Sequence, residues 1–351
     1  IKQARAEFKA GAITAAQLRK TEDQAIRELV EKQKAAGYHV ITDGEFRRSY
    51  WHLDFMWGFN GIKEIELDHG YFFHGEETTP GSIAITGKIS GGHHPFVEDF
   101  KFVKQLEDEH TVAKQTIPAP AQLLAELFRE DNARNTRRFY PDLEELIQDI
   151  AAAYRTVIAD LYAAGCRNLQ LDDCTWGMLC DTERRKALYG GQTDADAVAQ
   201  LYVDLNNAVI DCVPRGMVVN THICRGNYHS AWASSGGYEP IGKYLFSSEH
   251  VSAFYLEFDD ERSGNFEPLQ YVAEGKKVVL GLITTKSPRL EDKAAVIARI
   301  HEAEKYIPLD RLCLSPQCGF ASCEIGNKLT DLEQWNKLKL VKEIAEKVWG
   351  K

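Results

Sequence analysis

Short β-branched runs alternate with long amphipathic helices along the chain, which predicts an α/β fold of parallel strands joined by helical crossovers. Two further observations narrow the class. Seven strand-like runs are present, and no G-x-G-x-x-G or P-loop follows any of them, which argues against a doubly wound open sheet. Seven is one short of a (β/α)8 barrel of the TIM type. The sequence opens inside a helix at Ile1, so the expected first strand lies upstream of residue 1. The expectation is a single barrel domain over residues 1–351 with a β-hairpin inserted at about 52–94.

The elements follow in order. "AITAAQLRKTEDQAIRELVEKQKAAGY" reads as a helix, with Thr14 and Gln17 spaced as a capping box and Gly37 as its stop; it feeds the strand "HVITDGEF". A shorter strand-like piece lies near 115–119. "PDLEELIQDIAAAYRTVIADLYAAG", stopped by Gly165, feeds "NLQLDDC". The helix from Asp194, "DADAVAQLYVDLNNAVIDCV", leads to "MVVNTHIC", and "SAFYLEFDD" follows. "EPLQYVAEG" leads to "KKVVLGLITT", "EDKAAVIARIHEAEKYI" leads to "RLCLSPQCGF", and a last helix spans about Asp331 to Trp349. Residues 51–94 break the pattern, being rich in aromatics and glycines with alternating runs at "IKEIEL" and "IAITGKI". Loops that follow barrel strands lie on the catalytic face. The insertion is therefore placed to wall a pocket or make a subunit contact, leaving a homo-oligomer open; a surface arm with its own small core fits equally well.

The 351 residues, 44% of them hydrophobic, are enough to bury a large core. Lys+Arg number 42 against 52 Asp+Glu, a formal charge of −10, and no basic tract interrupts the chain, which argues against nucleic acid as the main partner. No apolar run has the length of a membrane span and no signal-peptide pattern opens the sequence, so a cytoplasmic protein without a membrane partner is expected. In that compartment the eight cysteines are reduced, and most of them are core.

Polar residues collect at the strand ends: Asp43 and Glu45; Asp172 and Asp173; His222 and Cys224; Glu257, Asp259 and Asp260; Thr284, Thr285 and Lys286; and Cys318. In a parallel barrel these ends share one face. His222 and Cys224 are two apart at the end of a strand, so their side chains project to the same side. With Glu257 and Cys318 they offer thiolate, imidazole and carboxylate donors, a set that favours Zn2+ over magnesium or calcium. The plainer alternatives are that Cys224 and Cys318 are buried thiols and Glu257 a solvated loop carboxylate. Lys286, at the end of "VVLGLITTK", is either a rim charge or the partner of an anion in the mouth, such as a substrate carboxylate.

From about residue 12 to the C-terminus the chain resembles the catalytic barrel of cobalamin-independent methionine synthase in a short stand-alone form. The resemblance rests on "DGEF", "LQLDD", "THICRGN", "FYLEF", "KSP" and "SPQCGF" in that order. It implies that His222, Cys224, Glu257 and Cys318 bind a catalytic zinc, and that Glu45 and Asp172 grip the ammonium group of homocysteine. Glu45, Asp172 and Lys286 are thus the candidate catalytic and substrate-binding residues. The implied activity is transfer of a methyl group from a methyl donor to the homocysteine thiol, forming methionine. Alkyl transfer to another thiol from a corrinoid-bound methyl or an epoxide is the alternative, and a non-catalytic protein with structural zinc is a third. Two cysteinates and one carboxylate would give the metal site a net charge of about −1 with neutral His222, and Glu257 is the ligand expected to yield to the substrate sulfur. The chain departs from the family at Lys286, where full-length synthases carry a histidine, and has no clear match to their folate-stacking tryptophan near "APAQLLAELF".

Overall fold

The computed structural model describes residues 1–129, 132–189 and 195–350. Asp194, where one helix is expected to start, and Lys351, the end of the expected domain, lie outside them. Among the described residues the central sheet has seven strands: β1 (Val40–Ile41), β6 (Val112–Pro118), β7 (Asn168–Asp173), β8 (Val218–Ile223), β9 (Ala253–Glu257), β10 (Lys277–Ile283) and β11 (Leu312–Pro316). Their spatial order is β1-β6-β7-β8-β9-β10-β11, and every pairing is parallel. Order in space thus follows order in the chain without reversal. A doubly wound sheet reverses at its switch point, whereas a sheet curling toward a barrel does not. Among the described residues β1 pairs only with β6 and β11 only with β10. The helix Lys2–Lys9 crosses toward both edges: Arg5 donates to the carbonyls of Phe46 and Arg48 and pairs with Glu324.

Local chemistry accounts for the helices that flank the sheet. Thr14 Oγ1 accepts from Gln17 N–H and Gln17 Oε1 accepts from Thr14 N–H, so the capping box closes on helix Ala15–Ala35. Gly37, at φ +78°, ends that segment in a conformation glycine adopts without strain. The helix Leu143–Ala163 is capped by Asp142 and buries Leu146, Ile150, Tyr154, Val157, Ile158 and Leu161, a three-and-four spacing that makes one apolar face. Each fully buried aliphatic side chain of this kind contributes about 1.5–3 kcal/mol.

Three elements differ from expectation. β6 starts at Val112 rather than near 115, because the Lys114 ammonium turns inward, donating to Gln170 Oε1 and lying over the Tyr255 ring. β1 has only two residues, since Gly44 and Glu45 both take left-handed backbone angles and pull the chain out of the ladder. "EPLQYVAEG" forms only a short 3-10 segment, Glu267–Tyr271, which starts with Pro268 in its first turn and ends where Val272 turns extended ahead of the positive-φ Gly275. No described helix is long and apolar enough to cross a membrane.

Between β1 and β6 the chain forms two antiparallel ladders. β2 (Asn60–Glu66) pairs with β5 (Gly81–Ser90), and β3 (Phe72–Phe73) pairs with β4 (Glu76–Glu77) at the tip. The far end of the β2–β5 ladder is tied down by buried Glu126, which accepts from Tyr71 OH at 2.5 Å and Ser82 Oγ at 2.6 Å. Its tip reaches the mouth: His74 stacks on Trp232 at 4.6 Å, and Glu76 meets both His229 and Lys328. The arm therefore touches the loops after β8 and β11, which carry Cys224 and Cys318.

Candidate functional site

Strand parity decides which carboxylate enters the mouth. Alternate residues of β7 face opposite ways. Asn168, Gln170 and Asp172 are partly exposed, whereas Leu169, Leu171 and Asp173 are buried toward the helices. Asp173 is spent on Thr175 and Asn206. Asp172 accepts from Gln170 Nε2 at 2.7 Å and stands in register with His222 on β8.

His222, Cys224 and Cys318 are brought together, with one donor atom from each lying within 4.8 Å of the other two. Cys224 Sγ and Cys318 Sγ are 3.9 Å apart, and Cys224 Sγ accepts the N–H of Gly226, whose φ of +92° aims the peptide at the sulfur. His222 Nε2 is buried and has no hydrogen-bond partner among the described residues. Contact with the Cys224 thiol first, then with His222, and the charge of Lys286 hold Cys318 well below the usual thiol range despite its burial. Burial opposes a charge on His222, but Cys318, Asp172 and Glu257 outweigh it and raise the imidazole to about 9. Two sulfurs and an unpartnered imidazole nitrogen converging on a negative environment fit a zinc ion.

The fourth expected donor, Glu257, is not in this group. Its Oε1 is 2.6 Å from Arg262 and 3.2 Å from Lys286, and its Oε2 accepts the Arg225 N–H at 2.8 Å. Burial works against its charge, but Lys286, Arg262 and Arg225 prevail and hold the carboxyl at about 2. Lys286 is 9% exposed and directs its ammonium at Glu257 and at Asp259, 3.9 Å away, rather than at an open position. The physical reason is charge: buried carboxylates take cationic partners where the fold supplies them.

Glu45 sits across the mouth. Its Oε1 accepts from Thr116 Oγ1 at 2.7 Å and pairs with Arg48 at 3.0 Å. Its φ of +58° is uncommon for a residue with a side chain and is held by the Asp43 carboxylate accepting its N–H. Burial first, and the nearby charge of Asp172, push its carboxyl up to about 7 against the pull of Arg48. Asp172 is likewise raised by burial. Two carboxylates that resist ionising together make a receptor for a cation.

Sequence reasoning missed Arg48, Thr116 and Arg262. Arg48 follows Glu45 by three residues in "DGEFRR", a signal that was legible. Thr116 and Arg262 meet their partners through the fold alone.

The protein is thus a curled parallel α/β sheet, consistent with a TIM-type barrel, that carries a His/Cys cluster and paired buried carboxylates at one end. Comparison with known proteins names the group. The chain belongs to the family described as "Cobalamin-independent synthase, Catalytic domain", which matches residues 1–346. It is 42% identical to the uncharacterized protein YxjH of Bacillus subtilis over 351 residues, covering 99% of this chain and 91% of that one. A crystal structure from Listeria monocytogenes, provisionally described as a vitamin-B12-independent methionine synthase, superposes with a TM-score of 0.78 at 40% identity, covering 100% of this chain and 94% of that one. The 5-methyltetrahydropteroyltriglutamate–homocysteine methyltransferase of Thermosynechococcus vestitus is 24% identical over 353 residues; the match spans 99% of this chain and 42% of that enzyme.

Proposed function

We propose that the protein transfers a methyl group to the thiol of homocysteine, forming methionine, with a zinc ion held by His222, Cys224 and Cys318. The observation that carries this reading is the meeting of that cluster with Asp172, which stands in register with His222. Homocysteine has an ammonium at one end and a thiol at the other, and the mouth offers carboxylates beside soft donors. Zinc there would supply a Lewis acid that keeps the substrate sulfur deprotonated, offsetting the roughly 2 kcal/mol needed to ionise a free thiol at pH 7.

The chain's own residues do the rest. Asp172 and Glu45 bind the ammonium by charge-assisted hydrogen bonds and fix the orientation of the substrate. Arg48 and Thr116 hold the Glu45 carboxylate in place. The arm covers the loops that carry the two cysteines and limits water at the sulfur. The test is turnover of homocysteine by zinc-loaded protein with a panel of methyl donors. Methionine should form with at least one donor, and its absence with methylfolates, methyl-corrinoids and sulfonium donors alike would defeat the reading.

A further inference from the structure

We infer that Lys114 and Gln170 are positioning residues for amine recognition: the Lys114 ammonium orients the Gln170 amide, which in turn aims the Asp172 carboxylate at the substrate ammonium. The inference rests on the homocysteine reading above and deepens it.

Three observations lead there. First, strand register stacks the side chains in layers. Lys114 on β6 pairs with Asn168 on β7, Thr116 with Gln170, and Pro118 with Asp172. Residues two apart on a strand share a face, so Lys114 and Thr116 lie on one side of β6, as Gln170 and Asp172 do on β7. Second, the contacts climb toward the mouth. Lys114 Nζ donates to Gln170 Oε1 at 2.9 Å, and Gln170 Nε2 donates to Asp172 Oδ1 at 2.7 Å. An ammonium only donates and an ionised carboxylate only accepts, so the amide between them satisfies both in a single orientation. The two bonds also polarise each other. Third, Lys114 forms no ion pair among the described residues. Its ammonium lies 4.6 Å from the centroid of the Tyr255 ring, which seats it beneath the amide.

Without the ammonium the amide is free to turn its oxygen toward Asp172, and two facing acceptors would push the carboxylate aside. Glu45 does not depend on this relay, because Thr116 Oγ1 and Arg48 hold it. Loss of the relay therefore weakens amine binding without abolishing it.

Calorimetric titration of the zinc-loaded full-length chain with homocysteine and with its deaminated analogue tests this in wild type, Lys114→Met, Gln170→Leu and the double variant. Each single variant should bind homocysteine about tenfold more weakly and the analogue within about twofold of wild type. Because the lysine acts through the amide, the double variant should be no weaker than Gln170→Leu. Homocysteine affinity unchanged in Gln170→Leu, an equal loss for both ligands, or losses that multiply in the double variant overturns the relay. Should Lys114→Met fail to fold, the ratio of the two affinities in Gln170→Leu decides alone. Wild-type protein that binds neither ligand, or both equally, overturns the amine reading of Asp172 and the relay with it, a result separate from the behaviour of any variant.

Discussion

Asp172 at the end of β7 and His222 on β8 are register partners on adjacent parallel strands. On the proposed function, this neighbour relationship joins the carboxylate that would bind the amine to the imidazole that would bind the metal. Asp172→Asn should raise the KM for homocysteine about 30-fold or more, equivalent to roughly 2 kcal/mol for a lost desolvated charge partner, while zinc content stays at the wild-type level. Metal analysis beside steady-state kinetics checks this. A variant that lost its zinc would put Asp172 in the coordination shell instead.

Substrate affinity should depend on pH through Glu45. Its carboxyl is raised to about 7 by burial and Asp172. An ammonium ligand favours the ionised form, so homocysteine binding should tighten as pH rises from about 6 to 8. The same shift acts on the unliganded fold with the opposite trend. Protonated Glu45 favours folding, and that contribution is lost as pH rises from the ordinary carboxyl value through about 7. Calorimetric titration with the amine-bearing substrate and with its deaminated analogue separates the effects. Equal pH dependence for both ligands would rule Glu45 out as the amine partner.

The arm should be fastened by Tyr71. Tyr71 OH donates to Glu126 and lies 2.9 Å from His52 Nε2. Tyr71→Phe leaves buried polar groups without a partner and should cost about 1–3 kcal/mol in urea unfolding. Cleavage of the arm by protease should accelerate as well. An unchanged urea midpoint would mean that the arm is held elsewhere.

Helix capping at Thr14 gives a test of the fold alone. Thr14→Ala should destabilise the protein by about 1 kcal/mol, and Thr14→Ser should restore most of that loss. Urea midpoints for the two variants are the measurement. Equal midpoints for Ala and Ser would show that the capping box adds nothing here.

Periodicity and caps made the barrel strands and long helices legible, because Thr14, Gly37 and Gly165 act within a few residues of their own position. His222, Cys224 and Cys318 were legible by their chemistry and by strand ends sharing a face. Residue type alone left Glu257 ambiguous. Its partner choice depends on Arg262 and Lys286, and the sequence gives no sign that both cations would be buried against it. β1 and β6 were misjudged at their ends for similar reasons. A left-handed Glu45 and an inward-turned Lys114 are set by contacts with other strands.

The most direct measurement is the absorption spectrum of the cobalt(II)-substituted protein during titration with homocysteine. A new sulfur-to-cobalt charge-transfer band should grow and saturate at one homocysteine per chain, and it should be missing in Cys318→Ser. A spectrum that homocysteine leaves unchanged, in protein shown to hold one cobalt, would contradict the claim that this cluster binds the substrate thiol.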